Sequence, residues 1–164
     1  MKSHKWDIIL SSETGNPVQA KTHKGRPMQD LKLSLGWVYN DFMKDQFIAS
    51  YVETAVKAPP LNPLSFSVAD LALSAIERMV EDCKLFKAQN LSLMTLPGAA
   101  LNVTLAKAGI DFWRVRSAPR TATFPISYWR VPNGPLLTKA ALELGPCHLF
   151  VGGDGLLYLS SQDR

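Results

Sequence analysis

The stretch LLTKAALELGPCHLFVGGDGLLYLS, residues 136–160, shows where this chain changes from helix to sheet. A helix is predicted over residues 133–144, and Gly145 follows at the position where glycine commonly ends helices. Two apolar segments, Cys147–Val151 and Leu156–Ser160, have the length and composition of short strands. Because only a glycine-rich turn separates them, we predict that the two strands form a hairpin.

Two longer helices are predicted in the first half of the chain. Apolar residues at helical spacing favour a helix over Val38–Lys57, which the proline-rich connector Ala58–Pro63 ends. The clearest helical pattern covers Ser67–Leu85, where Ser67 and Asp70 have the spacing of a capping box. Its apolar stripe is predicted to lie in the core, since such a stripe is typical of a helix that packs on the rest of a domain.

The remaining segments are predicted to form further strands and one helix. The strands are Trp6–Leu10, Val18–Thr22, Leu91–Leu96, Ile110–Arg116 and Ile126–Val131. The helix is Pro97–Ala108, which proline begins and Gly109 ends. Together these elements predict an α+β fold in which a mixed β-sheet packs with helices. We expect residues 1–164 to form a single compact domain.

Composition predicts a folded, soluble protein. The chain has 164 residues, of which 46% are hydrophobic and 20% are charged. That much apolar surface offsets chain entropy, which argues against a disordered protein. No apolar run approaches the roughly 20 residues of a membrane helix, and the first residues lack the apolar core of a signal peptide. We therefore expect a cytoplasmic protein with no membrane span.

The sequence contains two cysteines, Cys83 and Cys147, and three histidines. The cysteines lie far apart, so they give neither a disulfide framework nor the spacing of zinc ligands. No two histidines are spaced to meet on one helix face. The sequence thus predicts two reduced, buried thiols and no metal site built on these residues.

Charge is unevenly distributed along the chain, although the formal net charge is only +4. Residues 107–130 contain five basic side chains against the single acid Asp111. Such a segment can present a positive surface to phosphate or to an acidic partner. The alternative is that these charges spread over a solvated surface and bind nothing.

The tripeptide Trp-Arg-Val occurs twice, at Trp113–Val115 and at Trp129–Val131. Because side chains alternate along a strand, we expect both tryptophans in the core and the arginines on the opposite face. The predicted phosphate-binding residues are Arg114, Arg116, Arg120 and Arg130. Arginines near aromatic rings suit phosphate contacts and base stacking, which favours nucleic-acid binding. A structural interpretation, in which the arginines solvate one side of a half-buried sheet, also stays open at this point.

Motifs of common enzyme classes are absent from the sequence, including the Walker loop, the dinucleotide glycine fingerprint, the nucleophile elbow and HExxH. The glycine-rich turn lies between strands, so it lacks the helix N-terminus that binds phosphate. Carboxylates in the C-terminal half are sparse, namely Asp111, Glu143, Asp154 and Asp163. We expect Glu143 to be solvated and Asp154 to be a turn residue.

The C-terminal stretch resembles the nuclease-like core of the ParB/sulfiredoxin superfamily. That family shows a helix, a glycine, an apolar strand, an Asp-Gly turn and a second strand, followed by a phosphate-binding Gly-Glu-Arg-Arg sequence. Here the helix and glycine are residues 136–145, and the turn contains Asp154 and Gly155. Residues 162–164, Gln-Asp-Arg, stand where the phosphate-binding sequence would fall.

This resemblance implies a ParB/sulfiredoxin-like fold and a function similar to that of plasmid fertility-inhibition factors, which block conjugative DNA transfer. It also implies nucleotide hydrolysis and DNA cleavage, hence a DNase or ATPase that uses Mg²⁺ and ATP. Asp154, Asp163 and Arg164 are then the catalytic candidates, and Asp154 or Asp163 would help to hold the metal. The implied partners are DNA, a nucleoprotein, or the secretion or conjugation machinery.

A second hypothesis is a non-enzymatic inhibitor or binding module that docks on a protein or nucleoprotein partner. It follows from the sparse carboxylates, because an enzyme needs converging groups with perturbed pKa values in a cleft. An inhibitor needs only an exposed surface that complements its partner.

Overall fold

The computed structural model describes residues 42–58 and 66–161, which are mostly helical with a small antiparallel sheet. The helices are α1 (Gln46–Lys57), α2 (Leu73–Met94), α3 (Leu101–Ser117), α4 (Ile126–Trp129) and α5 (Asn133–Glu143). The strands are β1 (Cys147–Val151) and β2 (Leu157–Ser161). This content agrees with an α+β class. Each of these helices is too short or too polar for a membrane span.

Helix α1 begins at an aspartate cap. The Asp45 carboxylate accepts hydrogen bonds from the backbone N–H groups of Phe47 and Ile48, at 3.0 and 3.4 Å. The ammonium of Lys87, on α2, pairs with the same carboxylate and so joins the two helices. The predicted helix Val38–Lys57 is confirmed over the extent of α1. It is wrong for residues 43–45, which form a turn that ends at the cap, and residues 38–41 lie outside the described part of the chain.

Helix α2 is longer than the sequence pattern predicts. The predicted capping box of Ser67 and Asp70 forms, but around a short 3₁₀ turn that precedes α2. Helix α2 then continues into the predicted strand Leu91–Leu96, and that strand prediction is therefore wrong. Phe86 and Met94 are both buried, and their separation of eight residues brings them to one face of a helix.

Helix α3 runs through a glycine that the sequence pattern takes as a helix end. The predicted helix Pro97–Ala108 and the predicted strand Ile110–Arg116 are wrong as separate elements, because Leu101–Ser117 is one helix. Gly109 serves close packing instead, since a Cβ there would lie 2.2 Å from the Phe47 carbonyl oxygen on α1. Helices α1 and α3 therefore approach each other until their backbones touch.

The predicted strand Ile126–Val131 is also wrong, because this segment forms the single-turn helix α4 and an irregular turn. The predicted helix at residues 133–144 is confirmed as α5. It ends at Gly145, whose φ of 79° is accessible to glycine at little cost. Asn133, the first residue of α5, donates its side-chain amide to the carbonyl oxygen of Leu93 at 2.9 Å, which holds α5 to the end of α2.

The predicted hairpin is confirmed, with β1 and β2 paired in antiparallel register. Leu157, the first residue of β2, also forms an isolated parallel bridge with Leu71. Within the described part of the chain the sheet has two strands, so the larger mixed sheet that the sequence predicts is not found there. The predicted strands Trp6–Leu10 and Val18–Thr22 lie outside the described residues.

An aromatic cluster occupies the core where α1, α2 and α3 meet. Phe86 and Phe112 stack with ring centroids 4.1 Å apart, and Phe47 stacks against both at 5.8 and 5.7 Å. Trp113 and Trp129 are buried, which confirms that both are core residues. Aromatic pairs of this kind contribute about 0.5–1.5 kcal/mol each beyond their burial. The cluster thus fixes the three helices on which the candidate site is built.

Candidate functional site

A buried carboxylate organises the basic segment at residues 107–130. Asp111, on α3, is buried. Its oxygens accept hydrogen bonds from the Lys107 ammonium at 2.6 and 2.7 Å, and one accepts from the Trp129 indole N–H at 2.9 Å. Because Trp129 belongs to α4, this acid fixes α4 against α3.

The side chains around Asp111 that reach the surface are basic or aromatic. The Lys107 ammonium lies 5.6 Å from the centre of the Tyr128 ring, a cation–π distance. One guanidinium nitrogen of Arg114 is 3.6 Å from an oxygen of Asp111, and the Arg114 side chain is 61% exposed. The negative charge therefore lies inside, and the positive charge of Arg114 faces solvent.

Two further arginines of the segment are exposed, and neither forms an ion pair within the described residues. Arg120 lies in the turn after α3, and Arg130 directly follows α4. Arg130 has φ 59° and ψ 173°, a conformation that is common only for glycine. Its N–H donates to the Ile126 carbonyl oxygen at 3.0 Å, and its own carbonyl accepts from the Gly134 N–H at 2.9 Å. The surrounding backbone thus holds an exposed arginine in a conformation that costs about 1–3 kcal/mol.

Arg116 is buried, so its predicted place on a surface shared with Arg114 is wrong. The two residues lie on a helix, where side chains two positions apart point in different directions. The Arg116 guanidinium pairs with Asp82 of α2 at 2.7 Å and donates to the carbonyl oxygens of Gly145 and Leu144 at 2.9 and 3.4 Å. Because Arg116 is only 1% exposed, it ties the end of α5 to α2 and cannot reach a phosphate at the surface.

Tyr51, Cys83 and Cys147 complete a buried polar cluster around Arg116. Arg116 donates to the Tyr51 hydroxyl at 3.0 Å, and that hydroxyl lies 3.5 Å from the Cys147 sulfur. Burial raises the pKa of Cys83, Cys147 and Tyr51 above their ordinary values. Burial alone lowers the pKa of Arg116, but its neighbours Tyr51, Cys147 and Asp82 raise it overall. The thiols are thus protonated at neutral pH and free of disulfide, as the sequence predicts.

Asp154 holds the turn between β1 and β2. One oxygen of its carboxylate accepts from the Leu156 backbone N–H at 3.1 Å, and the other accepts from the Tyr158 hydroxyl at 2.8 Å. The second hydrogen bond raises the pKa of Tyr158. The predicted turn role of Asp154 is confirmed, and its catalytic role stays a prediction. The other catalytic candidates, Asp163 and Arg164, lie outside the described residues.

Cofactor binding stays a prediction for the same reason. In residues 42–58 and 66–161, no three or more His, Cys, Asp or Glu side chains are grouped so that they could hold a metal ion. Of the two carboxylates that the sequence resemblance assigns to a metal, only Asp154 belongs to that part of the chain. The prediction that this protein uses Mg²⁺ and ATP therefore depends on the sequence resemblance alone.

An apolar groove opens between α5 and the segment that leads into α4. We call it the α4–α5 groove; its volume is about 630 Å³. Its lining includes Thr123, Phe124, Ile126, Pro135, Thr138 and Leu142. Lys139 and Glu143 also border it. Ile126 and Leu142 are 62% and 42% exposed although both are apolar.

Sequence reasoning missed both the role of Asp111 and the groove, although each had a sequence signal. Lys107 and Asp111 are four residues apart, which is the spacing of an ion pair on a helix. Pro135, Thr138 and Leu142 have the spacing of one helix face. The first signal is obscured because the pattern of residues 110–116 also predicts a strand. The second was hidden because a groove needs its other wall, residues 123–126, whose position depends on tertiary packing.

No model of a protein family, no curated protein and no solved structure matches this chain. The ParB/sulfiredoxin-like fold and the fertility-inhibition function thus stay predictions that rest on the sequence resemblance. A function can be argued from the charge, exposure and backbone geometry around Asp111 and Arg130.

Proposed function

We propose that this protein binds DNA through its exposed arginines, Arg114, Arg120 and Arg130, and so acts on DNA or on the machinery that transfers it. One observation carries this proposal. Within residues 101–130, every charged side chain that reaches solvent is basic, and the single acid is buried. Within this segment, a DNA backbone would therefore meet no exposed acidic side chain.

Guanidinium groups are well suited to this task. Each can donate two parallel hydrogen bonds to one phosphate, and it stays charged at any physiological pH. Asp111 offsets part of this charge, because it pairs with Lys107 and lies 3.6 Å from Arg114, but it is buried and presents no acidic group at the surface. The exposed arginines thus supply the sequence-independent attraction from which most nonspecific DNA binding arises.

The biological role that we propose follows from the sequence resemblance. In that role the protein has a ParB/sulfiredoxin-like fold and inhibits fertility by blocking conjugative DNA transfer. Hydrolysis by Asp154, Asp163 and Arg164 with Mg²⁺ and ATP is the enzymatic form of the proposal. DNA binding by the exposed arginines does not depend on that chemistry.

A salt titration tests the binding proposal. Each phosphate contact releases counterions, so the logarithm of affinity should fall with the logarithm of salt by about 0.9 per contact on duplex DNA. Three contacts predict a slope of about −2.7 between roughly 50 and 200 mM salt. Fluorescence anisotropy with a short labelled duplex of arbitrary sequence measures both affinity and slope.

The matched variants are Arg114→Ala and Lys84→Ala. Both remove one exposed positive charge from a helix, but Lys84 lies on α2, outside the basic segment. Arg114→Ala should weaken binding to all sequences alike and reduce the slope by about 0.9. Equal effects of the two variants would mean that only net charge matters, and an absence of binding at low salt would remove the proposal.

The enzymatic form has its own test. Purified protein is incubated with plasmid DNA and Mg²⁺, with and without ATP, and nicking and phosphate release are measured. The combined variant Asp154→Ala and Asp163→Ala should abolish both activities if these carboxylates hold the metal. Activity that survives the double substitution would exclude that role, and the salt titration would be unaffected by either result.

A further inference from the structure

The α4–α5 groove is apolar inside and charged at its rim. The apolar part of its lining consists of an aromatic ring, a proline and two aliphatic side chains, namely Phe124, Pro135, Ile126 and Leu142. Thr138 also lines the groove, but its hydroxyl already donates to the Gly134 carbonyl oxygen at 2.8 Å and accepts from the Phe124 N–H at 2.9 Å. The Thr138 hydroxyl therefore has no free donor for a ligand, and an occupant of the groove is held mainly by apolar contact.

Two of the lining side chains are apolar and yet exposed. Leu142 on α5 is 42% exposed, and Ile126, the first residue of α4, is 62% exposed. Burial of such side chains is the main driving force of protein association. Each copy of the chain thus presents an exposed leucine on a helix beside a groove that can accept a leucine. An interface between two identical copies requires both complementary parts within one surface patch.

Two opposite charges at the rim determine which second helix fits. Lys139 and Glu143 both line the groove, with the ammonium 3.9 Å from the carboxylate, and their side chains are 76% and 66% exposed. A pair as exposed as this contributes little within its own helix, so both groups remain able to pair with a partner. The two residues are four positions apart, which is about 6 Å along the helix axis.

An antiparallel α5 from a second copy matches this charge pattern. Because the second helix runs in the opposite direction, Lys139 of each copy faces Glu143 of the other, and twofold symmetry forms this pair twice. A parallel arrangement would instead bring lysine to lysine and glutamate to glutamate. The rim charges therefore favour a second copy of this chain in one orientation.

We propose that the α4–α5 groove is the interface of a symmetric dimer, in which α5 of a second copy lies antiparallel along the groove. Leu142 of each copy enters the groove of the other, and Lys139 pairs with Glu143 across the interface. This self-association goes beyond DNA binding and does not depend on it. Helix α5 has 11 residues, fewer than the roughly 20–30 residues a side of a standard interface, so the dimer is weak and depends on concentration.

Sedimentation equilibrium of the full chain, without DNA, measures the dimer from micromolar to millimolar concentration. The average mass should rise with concentration toward that of a dimer. Glu143→Lys and Lys139→Glu should each raise the dissociation constant at least about fivefold, because each variant turns two attractive pairs into repulsive ones. The double variant exchanges the two charges and restores both pairs, so its dissociation constant should return to within about twofold of the original.

Control variants separate the groove from the rest of the surface. Glu53→Lys is the control for charge, because Glu53 and Lys57 form the same kind of exposed pair on α1, at 3.7 Å. Leu142→Ser should abolish the dimer, whereas Leu91→Ser should not, because Leu91 is 43% exposed on α2 and does not line the groove. Urea unfolding of each variant shows that it is folded.

Four results would overturn the dimer proposal. They are a monomer at every concentration, a dimer that neither charge variant weakens, an equal loss in Glu53→Lys, and a double variant as weak as the single ones. A monomer that binds an apolar fluorescent dye, and loses it in Leu142→Ser, would assign the groove to a small ligand instead. The salt titration of Arg114→Ala tests a different surface, so the two proposals fail separately.

Discussion

Replacing Arg116 by methionine should strongly reduce the protein's stability. Methionine keeps the aliphatic part of the side chain but makes none of the hydrogen bonds of the guanidinium group. The change leaves the Asp82 carboxylate buried and takes a donor from the carbonyl oxygens of Leu144 and Gly145. Removing one member of a buried ion pair costs about 3–5 kcal/mol, and because Arg78 remains 3.6 Å from Asp82 we expect the lower end of that range. The free energy of unfolding of a typical domain is about 5–15 kcal/mol in total.

Arg114→Met is the matched control for this experiment. It makes the same substitution on the same helix, two residues away, and removes the same formal charge. The Arg114 side chain is 61% exposed, so the free energy of unfolding should change by no more than about 0.5 kcal/mol. The difference between the two variants therefore reports burial and hydrogen bonding rather than charge or helix propensity.

Urea unfolding measures both variants, and unchanged slopes would show that the comparison is valid. If Arg116→Met does not fold, Arg116→Lys keeps the charge but loses the planar fork, and an intermediate loss is expected. A loss below about 1 kcal/mol for Arg116→Met would mean that the pair behaves like a solvated surface pair. The buried network described here would then be refuted.

Three further predictions concern the core. Trp129→Phe should lower the free energy of unfolding by about 1–3 kcal/mol more than Trp113→Phe does. The Trp129 indole donates a hydrogen bond to Asp111, whereas the indole of Trp113 has no partner within the described residues. Equal urea midpoints for the two variants would contradict this prediction. Gly109→Ala should destabilise the protein by about 1–3 kcal/mol, because its Cβ meets the Phe47 carbonyl. Gly153→Ala, where a Cβ meets nothing within 4 Å, should leave the melting temperature unchanged. The free energy of unfolding should fall as pH rises above about 8.5, the ordinary thiol pKa. Burial raises the folded-state pKa of Cys83 and Cys147, so the unfolded chain releases its thiol protons first. Replacing both cysteines by alanine should flatten the alkaline decline in the free energy of unfolding, and an unchanged decline would exclude them as its source.

The parts of the fold that were predicted correctly have local causes. The hairpin β1–β2 follows from two apolar segments joined by a glycine-rich turn, and the end of α5 follows from Gly145. The apolar stripe of α2 repeats with the period of a helix, and its residues are largely buried. Each of these signals is contained in a few neighbouring residues, so no knowledge of distant contacts was needed to predict it.

Helix α3 was misinterpreted because it is buried on several sides. Asp111, Phe112, Trp113, Val115 and Arg116 are all buried, which leaves almost no polar face to reveal a helical period. The sequence pattern therefore matched strand alternation equally well. The burial of Asp111 and Arg116 explains the error. A prediction that places charged residues in solvent assigns these two side chains to the wrong face of the element. Their partners on α2 and α4 can be identified only from the tertiary structure.

The candidate site shows the same division. Arg114, Arg120 and Arg130 are exposed, as arginines usually are, and the sequence was sufficient to predict this. The burial of Arg116 depends on acceptors that come from α1, α2 and the end of α5. The strained backbone of Arg130 depends on hydrogen bonds at both of its sides. Neither property is encoded within a single segment.

Asp111 links the basic segment at residues 107–130 to the α4–α5 groove through α4. By binding Trp129 it fixes a helix that places Tyr128 beside Lys107 on the α3 side and Ile126 in the groove on the α5 side. A substitution at Asp111 would therefore disturb both surfaces and could assign a function to neither. Substitutions on α3 or on α5, which leave α4 unchanged, can test the two surfaces separately.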